Sequence, residues 1–133
     1  FLPALLPRDF EHRARELRGG EVPLPPACAP FERGVDVLGD GTLIAVLLPG
    51  HARGQLGLFV DGAPPTFLVA DAAYVSESFE RPIMPHPITR LLFDDTPEYE
   101  RTLHRLHALH ESPSDVRVIP SHCARAFAAH GVS

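Results

Sequence analysis

The chain has 133 residues and a mass of 14.5 kDa, with 44% hydrophobic and 22% charged residues. That is one domain's worth of chain at near-average composition, which argues against a disordered polymer and a membrane protein alike. A net charge of −5 with no run of basic residues argues against a phosphate-tracking nucleic-acid surface.

From the start, Asp9 to Arg18 reads as a short helix with Asp9 as N-cap and Gly19-Gly20 as terminator. Glu21 to Phe31 carries Pro23, Pro25, Pro26 and Pro30 and reads as an extended surface connector without regular structure. Strands begin at Gly34: Val35 and Val37 lead into Gly39-Asp40-Gly41, a hairpin signal, and then into Leu43 to Leu48. That apolar run lacks polar alternation, so it is expected to be buried on both faces, and it is far too short to cross a bilayer. Pro49-Gly50 ends it and places His51 on a loop. Further strands are expected over Gln55 to Val60 and Thr66 to Ala70, with a loop-like stretch from Glu80 to Pro97. A helix follows from Pro97 to His110, capped by Thr96, with Tyr99, Leu103 and Leu106 on its core stripe. Val116 to Ile119 reads as a last short strand and Ala124 to His130 as a terminal helix.

Three of these strand-like runs end at or just before an ionisable residue on a loop: His51, Asp71 and His122. Functional groups collect where loops converge at one edge of a sheet. Two imidazoles and a carboxylate suit Zn²⁺, and serve Fe or Mn as well. A carboxylate has two oxygens and can bridge two cations. The residue chemistry alone supports a His/Asp/His metal site and no more.

The contexts add to this. Leu48-Pro49-Gly50-His51-Ala52-Arg53-Gly54-Gln55, Val69-Ala70-Asp71-Ala72-Ala73-Tyr74 and Ile119-Pro120-Ser121-His122-Cys123, in that order and 20 and 51 residues apart, resemble the second half of the metallo-β-lactamase superfamily. The resemblance covers Leu43 to Cys123. It implies an α/β fold, the C-terminal half of a metallo-β-lactamase-type αββα four-layer sandwich. It further implies that His51 binds a first metal, Asp71 bridges two, and His122 binds the second, with Zn²⁺ the expected ion. A bridging hydroxide between such cations is nucleophilic at neutral pH. Asp71-Ala72-Ala73-Tyr74 followed by Glu77-Ser78-Phe79-Glu80 looks most like the N-acyl homoserine lactonase branch. There the tyrosine at the position of Tyr74 reaches the substrate carbonyl or leaving oxygen, so Asp71 and Tyr74 are the expected catalytic residues. Glyoxalase-like thioester hydrolases and RNA-processing nucleases are the rival branches. The acidic charge counts against the nucleases.

One departure is large. The superfamily's H-x-H-x-D-H motif, source of the remaining metal ligands, is not in this sequence. The chain also opens on Phe1-Leu2-Pro3, and its one methionine is Met84. It is therefore expected to be a partial domain: residues 1–33 a helix plus Pro-rich connector, and residues 34–133 a half-sandwich with the metal-ligand loops. Such a half exposes a sheet edge and an apolar face and needs its missing N-terminal half or a homodimer partner. The expected function is a metal-dependent hydrolase of lactone or ester-like small molecules, cytoplasmic, with no membrane or nucleic-acid partner. The alternative is a metal-poor fragment serving as an interaction module.

Other constellations weigh less. His104, His107 and His110 fit solvated positions and a helix end better than a metal site, since they fail the zincin order. Cys123 beside His122 is a poor thiolate–base pair, because adjacent residues point apart. Cys28 and Cys123 read as two reduced thiols. Asp94-Asp95 enriches negative charge at a helix start, and Arg53 is either a substrate-facing cation or a surface arginine.

Overall fold

The computed structural model describes residues 6–129. Its centre is a six-stranded sheet in the order β1-β2-β3-β4-β5-β6, formed by Glu21–Pro23, Arg33–Asp36, Leu43–Leu47, Leu56–Val60, Thr66–Ala70 and Arg117–Pro120. The first five strands are antiparallel neighbours, as short turns dictate. The β2–β3 turn is organised by Asp36, whose carboxylate accepts from the backbone N–H groups of Leu38, Gly39 and Gly41. Gly39 and Gly41 both take a left-handed backbone there. β6 instead pairs with β5 in parallel, after a long crossover through α2 (Ser76–Glu80), α3 (Pro87–Arg90) and α4 (Thr96–Glu111). Helix α5 (Ala124–Ala129) follows β6, and a one-turn α1 (Phe10–Arg13) precedes the sheet.

The register fixes two faces. Ile44 and Val46 of β3, Phe59 of β4, and Phe67 and Val69 of β5 share one side, where they meet Tyr99, Leu103, Leu106 and Leu109 of α4 in the main core. Those four α4 residues recur at helical spacing, and Asp95 caps the helix by accepting from Glu98 N at 2.9 Å. Phe31 adds an edge-to-face contact with Phe67 at 5.2 Å, covered in turn by the Arg105 guanidinium 4.3 Å above its ring. The opposite face carries Leu47, Leu56 and Leu68, exposed by 53%, 42% and 39%. α5 covers only the β6 end of that face, through Ile119, Ala126 and Phe127. The face carrying Leu47, Leu56 and Leu68 is thus left largely uncovered.

Several sequence expectations need correction. The helix expected over Asp9 to Arg18 stops at Arg13, and Asp9 makes no side-chain cap. None of its residues is buried, and a short helix without packing is marginal in water. The Pro-rich connector is not devoid of regular structure: Glu21–Pro23 pairs with β2 and Pro26–Cys28 forms a 3₁₀ turn. Pro23 is tolerated because β1 is an edge strand. Burial of Leu43 to Leu48 on both faces holds for Ile44, Ala45 and Val46 but fails at Leu47. Thr96 is not the cap of α4; Asp95 is. The stretch from Glu80 to Pro97 contains the α3 turn. His107 is not merely solvated: its Nδ1 donates to the Phe79 carbonyl at 2.8 Å and ties α4 to α2. His130, the expected end of the terminal helix, lies outside the described residues. Both cysteines are free and buried, as expected of reduced thiols.

Because Phe67 joins sheet, Phe31 and α4 in one core, Phe67→Ala should cost about 3–5 kcal/mol. Urea unfolding of the two proteins measures it, and a loss below about 1 kcal/mol would show that this core does not carry the fold.

Candidate functional site

The His51 loop is pinned to the start of α4. Gly50 adopts φ 128°, and a Cβ there would lie 2.2 Å from Tyr99 N, so the loop backbone and the helix touch directly. Three successive carbonyls of the loop find donors on the helix side. Thr102 Oγ1 donates to Pro49 O at 2.8 Å, Asp95 N to Gly50 O at 3.0 Å and Asp94 N to His51 O at 3.2 Å. A tight turn through Gln55 closes the other side, with Leu48 N donating to Gln55 O.

Asp71 follows β5, where Ala70 has φ 47°, the one non-glycine among the described residues in the left-handed region. That conformation costs about 1–2 kcal/mol for an L-residue and marks a chain held in place by its surroundings. A β-bulge between Leu68 and Ala70 accompanies it, and Ser121 N donates to Ala70 O at 3.3 Å. The parallel pairing of β5 and β6 brings Asp71 and His122, 51 residues apart, to the same end of the sheet.

The sequence-derived residues come together. His122 Nε2 lies 3.2 Å from Asp71 Oδ1, and His51 Nε2 lies 3.7 Å from Asp71 Oδ2. Ser121 Oγ donates to Asp71 Oδ1 at 2.5 Å. Tyr74 Oη is 3.2 Å from His51 Nδ1, and its ring centre is 5.8 Å from those of both His51 and His122. Burial, and then the charge of Asp71, push the Tyr74 phenol above its ordinary value, so it keeps its proton at neutral pH. Among the described residues, no group of three or more His, Cys, Asp or Glu side chains is placed to hold a metal ion. The imidazoles face different oxygens of Asp71 and do not converge on one point.

An open cleft of about 930 Å³ adjoins the cluster, lined by His51, Arg53, Gln55, Asp71, Leu92 and Phe93. Phe93 packs edge-on to His51 at 5.3 Å and stacks on Tyr99 at 4.3 Å. Nothing in the sequence singles out Phe93 or Tyr99, which reads only as a core residue; Ser121 had a signal in its adjacency to His122. Arg53 is 90% exposed, 3.4 Å from Asp94, at the rim of this cleft. Cys123 is buried, with its thiol against Ser76 N (3.5 Å) and Ser76 Oγ (3.3 Å).

No family model matches the chain. Over 52 residues, 38% of this chain and 20% of the relative, it is 42% identical to the N-acyl homoserine lactonase AttM of Rhizobium radiobacter. AttM of Agrobacterium fabrum is 40% identical over the same length. Solved structures of an N-acyl homoserine lactone hydrolase with N-hexanoyl-L-homoserine at its catalytic metal centre, and of Bacillus thuringiensis AiiA with N-decanoyl-L-homoserine at its active site, superpose with TM-score 0.54 and 20% identity. Each superposition covers 72% of this chain and 36% of the other. The chain has the fold of part of these structures, a fold of metallo-β-lactamase type. The segment that is similar to the N-acyl homoserine lactonases spans a fifth of the length of those relatives.

The contact between Gly50 and α4 leaves no room for a methyl group. Gly50→Ala should destabilise the chain by about 3 kcal/mol or more and displace the His51 ring. Thermal unfolding and the histidine ring signals in NMR measure both; a variant with unaltered melting would show that the contact is loose.

Proposed function

We propose that this chain supplies part of the active site of a metal-dependent hydrolase that opens lactones or other ester-like bonds, with Asp71 and Tyr74 as catalytic residues and Zn²⁺, or Fe or Mn, as the metal. The observation that carries this reading is the position of Asp71 between two imidazoles, one facing each carboxylate oxygen. Ligands bound tetrahedrally to zinc at 2.0–2.2 Å lie about 3.3–3.6 Å apart. The two nitrogen–oxygen separations are close to that range, so the donor set suits two half-sites, each with one imidazole and one carboxylate oxygen. A tetrahedral zinc takes four donors. The others would come from water and from protein outside these 133 residues, an H-x-H-x-D-H segment or a second copy of the chain.

Bound zinc supplies Lewis acidity, which acidifies water and polarises a carbonyl. The chain's own side chains orient and relay. For His51 Nε2 to present a lone pair, its proton must sit on Nδ1, where Tyr74 Oη accepts it. The Tyr74 O–H is then free to donate to the oxygen that gains charge when the carbonyl is attacked. Asp71, the carboxylate between the two imidazoles, would receive a proton as the tetrahedral intermediate collapses. Phe93 and Leu92 give the cleft an apolar wall beside these groups. The 42% identity to AttM over the matched segment supports a lactone as the substrate class. Among the described residues no helix is long and apolar enough to cross a membrane. Two buried free thiols accord with a cytoplasmic location.

A second reading, an interaction module poor in metal, is favoured by the open apolar sheet face. Zinc analysis and ring opening of N-hexanoyl homoserine lactone by the intact gene product separate the two. About two zinc ions per polypeptide with lactone opening are expected, whereas zinc-free protein without activity would establish the module. Asp71→Asn should lower zinc content and turnover by orders of magnitude; an unchanged zinc content would refute the ligand assignment. Tyr74→Phe should keep the zinc and reduce kcat about 10²-fold, and an unaltered kcat would remove Tyr74 from the mechanism.

A further inference from the structure

Two polar side chains are buried among the described residues, Thr102 and Ser76. Thr102 holds the His51 loop through Pro49 O. Ser76 has a matching place on the other side of the cluster. It opens α2 two positions after Tyr74, and it lies against Cys123, the residue between His122 and α5. The Ser76 N–H donates to Cys123 Sγ over 3.5 Å, and Ser76 Oγ is 3.3 Å from the same sulfur. Ser76 is 6% exposed and Cys123 3%, so little water competes for the contact.

The contact answers a need of the local sequence. The first N–H groups of a helix have no partner inside it. At α2 the N-cap position is held by Val75, which makes no side-chain cap. Cys123, 47 positions away in the chain, supplies the acceptor instead. Val75 packs on the buried cluster of Ile119, Cys123 and Ala126. Both residues that link Tyr74 to the sulfur are therefore held, one by packing and one by hydrogen bonds. Cys123 is itself fixed by α5, where its carbonyl accepts from Phe127 N at 3.1 Å. Arg125 joins the same two helices from outside, 2.7 Å from Glu80 and 3.3 Å from Glu77. Its side chain is 55% exposed, so that pair adds little.

We propose that Cys123 is a positioning residue: its sulfur holds the start of α2, and thereby keeps the Tyr74 ring at its 5.8 Å spacing from the ring of His122. Without the acceptor, the first turn of α2 loses its cap and Tyr74 loses its anchor. The consequence for turnover rests on the proposed hydrolase reading, and the spacing itself does not.

The test uses the intact gene product with N-hexanoyl homoserine lactone as substrate. Cys123→Ala should lower kcat about tenfold, and Cys123→Ser, which keeps an acceptor, should restore most of the rate. In the Tyr74→Phe background the loss from Cys123→Ala should shrink to about twofold or less, because the sulfur acts through Tyr74. Cys28→Ala, a truncation at the other buried cysteine, should lower Tm and leave kcat unchanged. An equal loss of kcat in both Tyr74 backgrounds, or from Cys28→Ala, would reduce Cys123 to packing and overturn the proposal. Should Cys123→Ala not fold, Ser76→Ala takes its place, with a smaller loss that again vanishes in Tyr74→Phe; a loss that persists there would overturn it. If the wild type opens no lactone, the hydrolase reading fails, and NMR contacts between the Tyr74 and His122 ring protons decide. Their disappearance in Cys123→Ala, or in Ser76→Ala, would support the positioning role, and their retention would overturn it.

Discussion

The site depends on the fit between the Pro49–His51 loop and the first turns of α4. Three consecutive loop carbonyls are satisfied by Thr102, Asp95 and Asp94, and the glycine between them lets two backbones meet without a side chain between. Buried carbonyls need partners, so the loop has little freedom to settle elsewhere. Asp95 contributes twice, through its carboxylate to the helix and through its N–H to the loop. One residue therefore starts the helix and anchors the histidine that precedes it by 44 positions.

The rest of the cluster follows from strand ends. Asp71 leaves β5 through a left-handed alanine and a bulge, both of which redirect a chain that would otherwise continue in the sheet. His122 leaves β6 at the same end, and Ser121 ties the two departures together. Aromatic rings fill the space below: Tyr99 on Phe93, Phe93 against His51, Tyr74 against both histidines. The histidines are thus oriented by packing as well as by hydrogen bonds, and rigid support is what a preorganised site requires.

Much of this was legible in the sequence. Apolar runs between turn residues marked β3, β4 and β5, and the strand-end positions of His51, Asp71 and His122 marked the cluster. The stripe of Tyr99, Leu103 and Leu106 gave the buried face of α4. The errors have a common cause in tertiary context. The residues after Arg13 have good helical composition but nothing to pack on, and Pro23 belongs to a strand because an edge can omit one donor. Which of Thr96 and Asp95 caps α4 is a matter of one residue's backbone angles, invisible to pattern. Phe93 and Tyr99 were silent as site residues, since their importance lies in neighbours 40 to 50 positions away. The open Leu47, Leu56 and Leu68 show the limit of periodicity from another side: an apolar run tells that a face wants cover, and not what covers it.

The parallel pairing of β5 with β6 has a kinetic side. β2 through β5 are successive hairpins whose turns close loops of a few residues, at small entropic cost. The pairing that unites Asp71 with His122 must instead enclose three helices and about fifty residues before any of its contacts is made. The hairpins are therefore the early structure, and the edge that carries Asp71 and His122 the late one. A chain interrupted during synthesis or refolding will hold most of its sheet while His122 is still far from Asp71, so the appearance of strand structure and the appearance of the site are separate events in time.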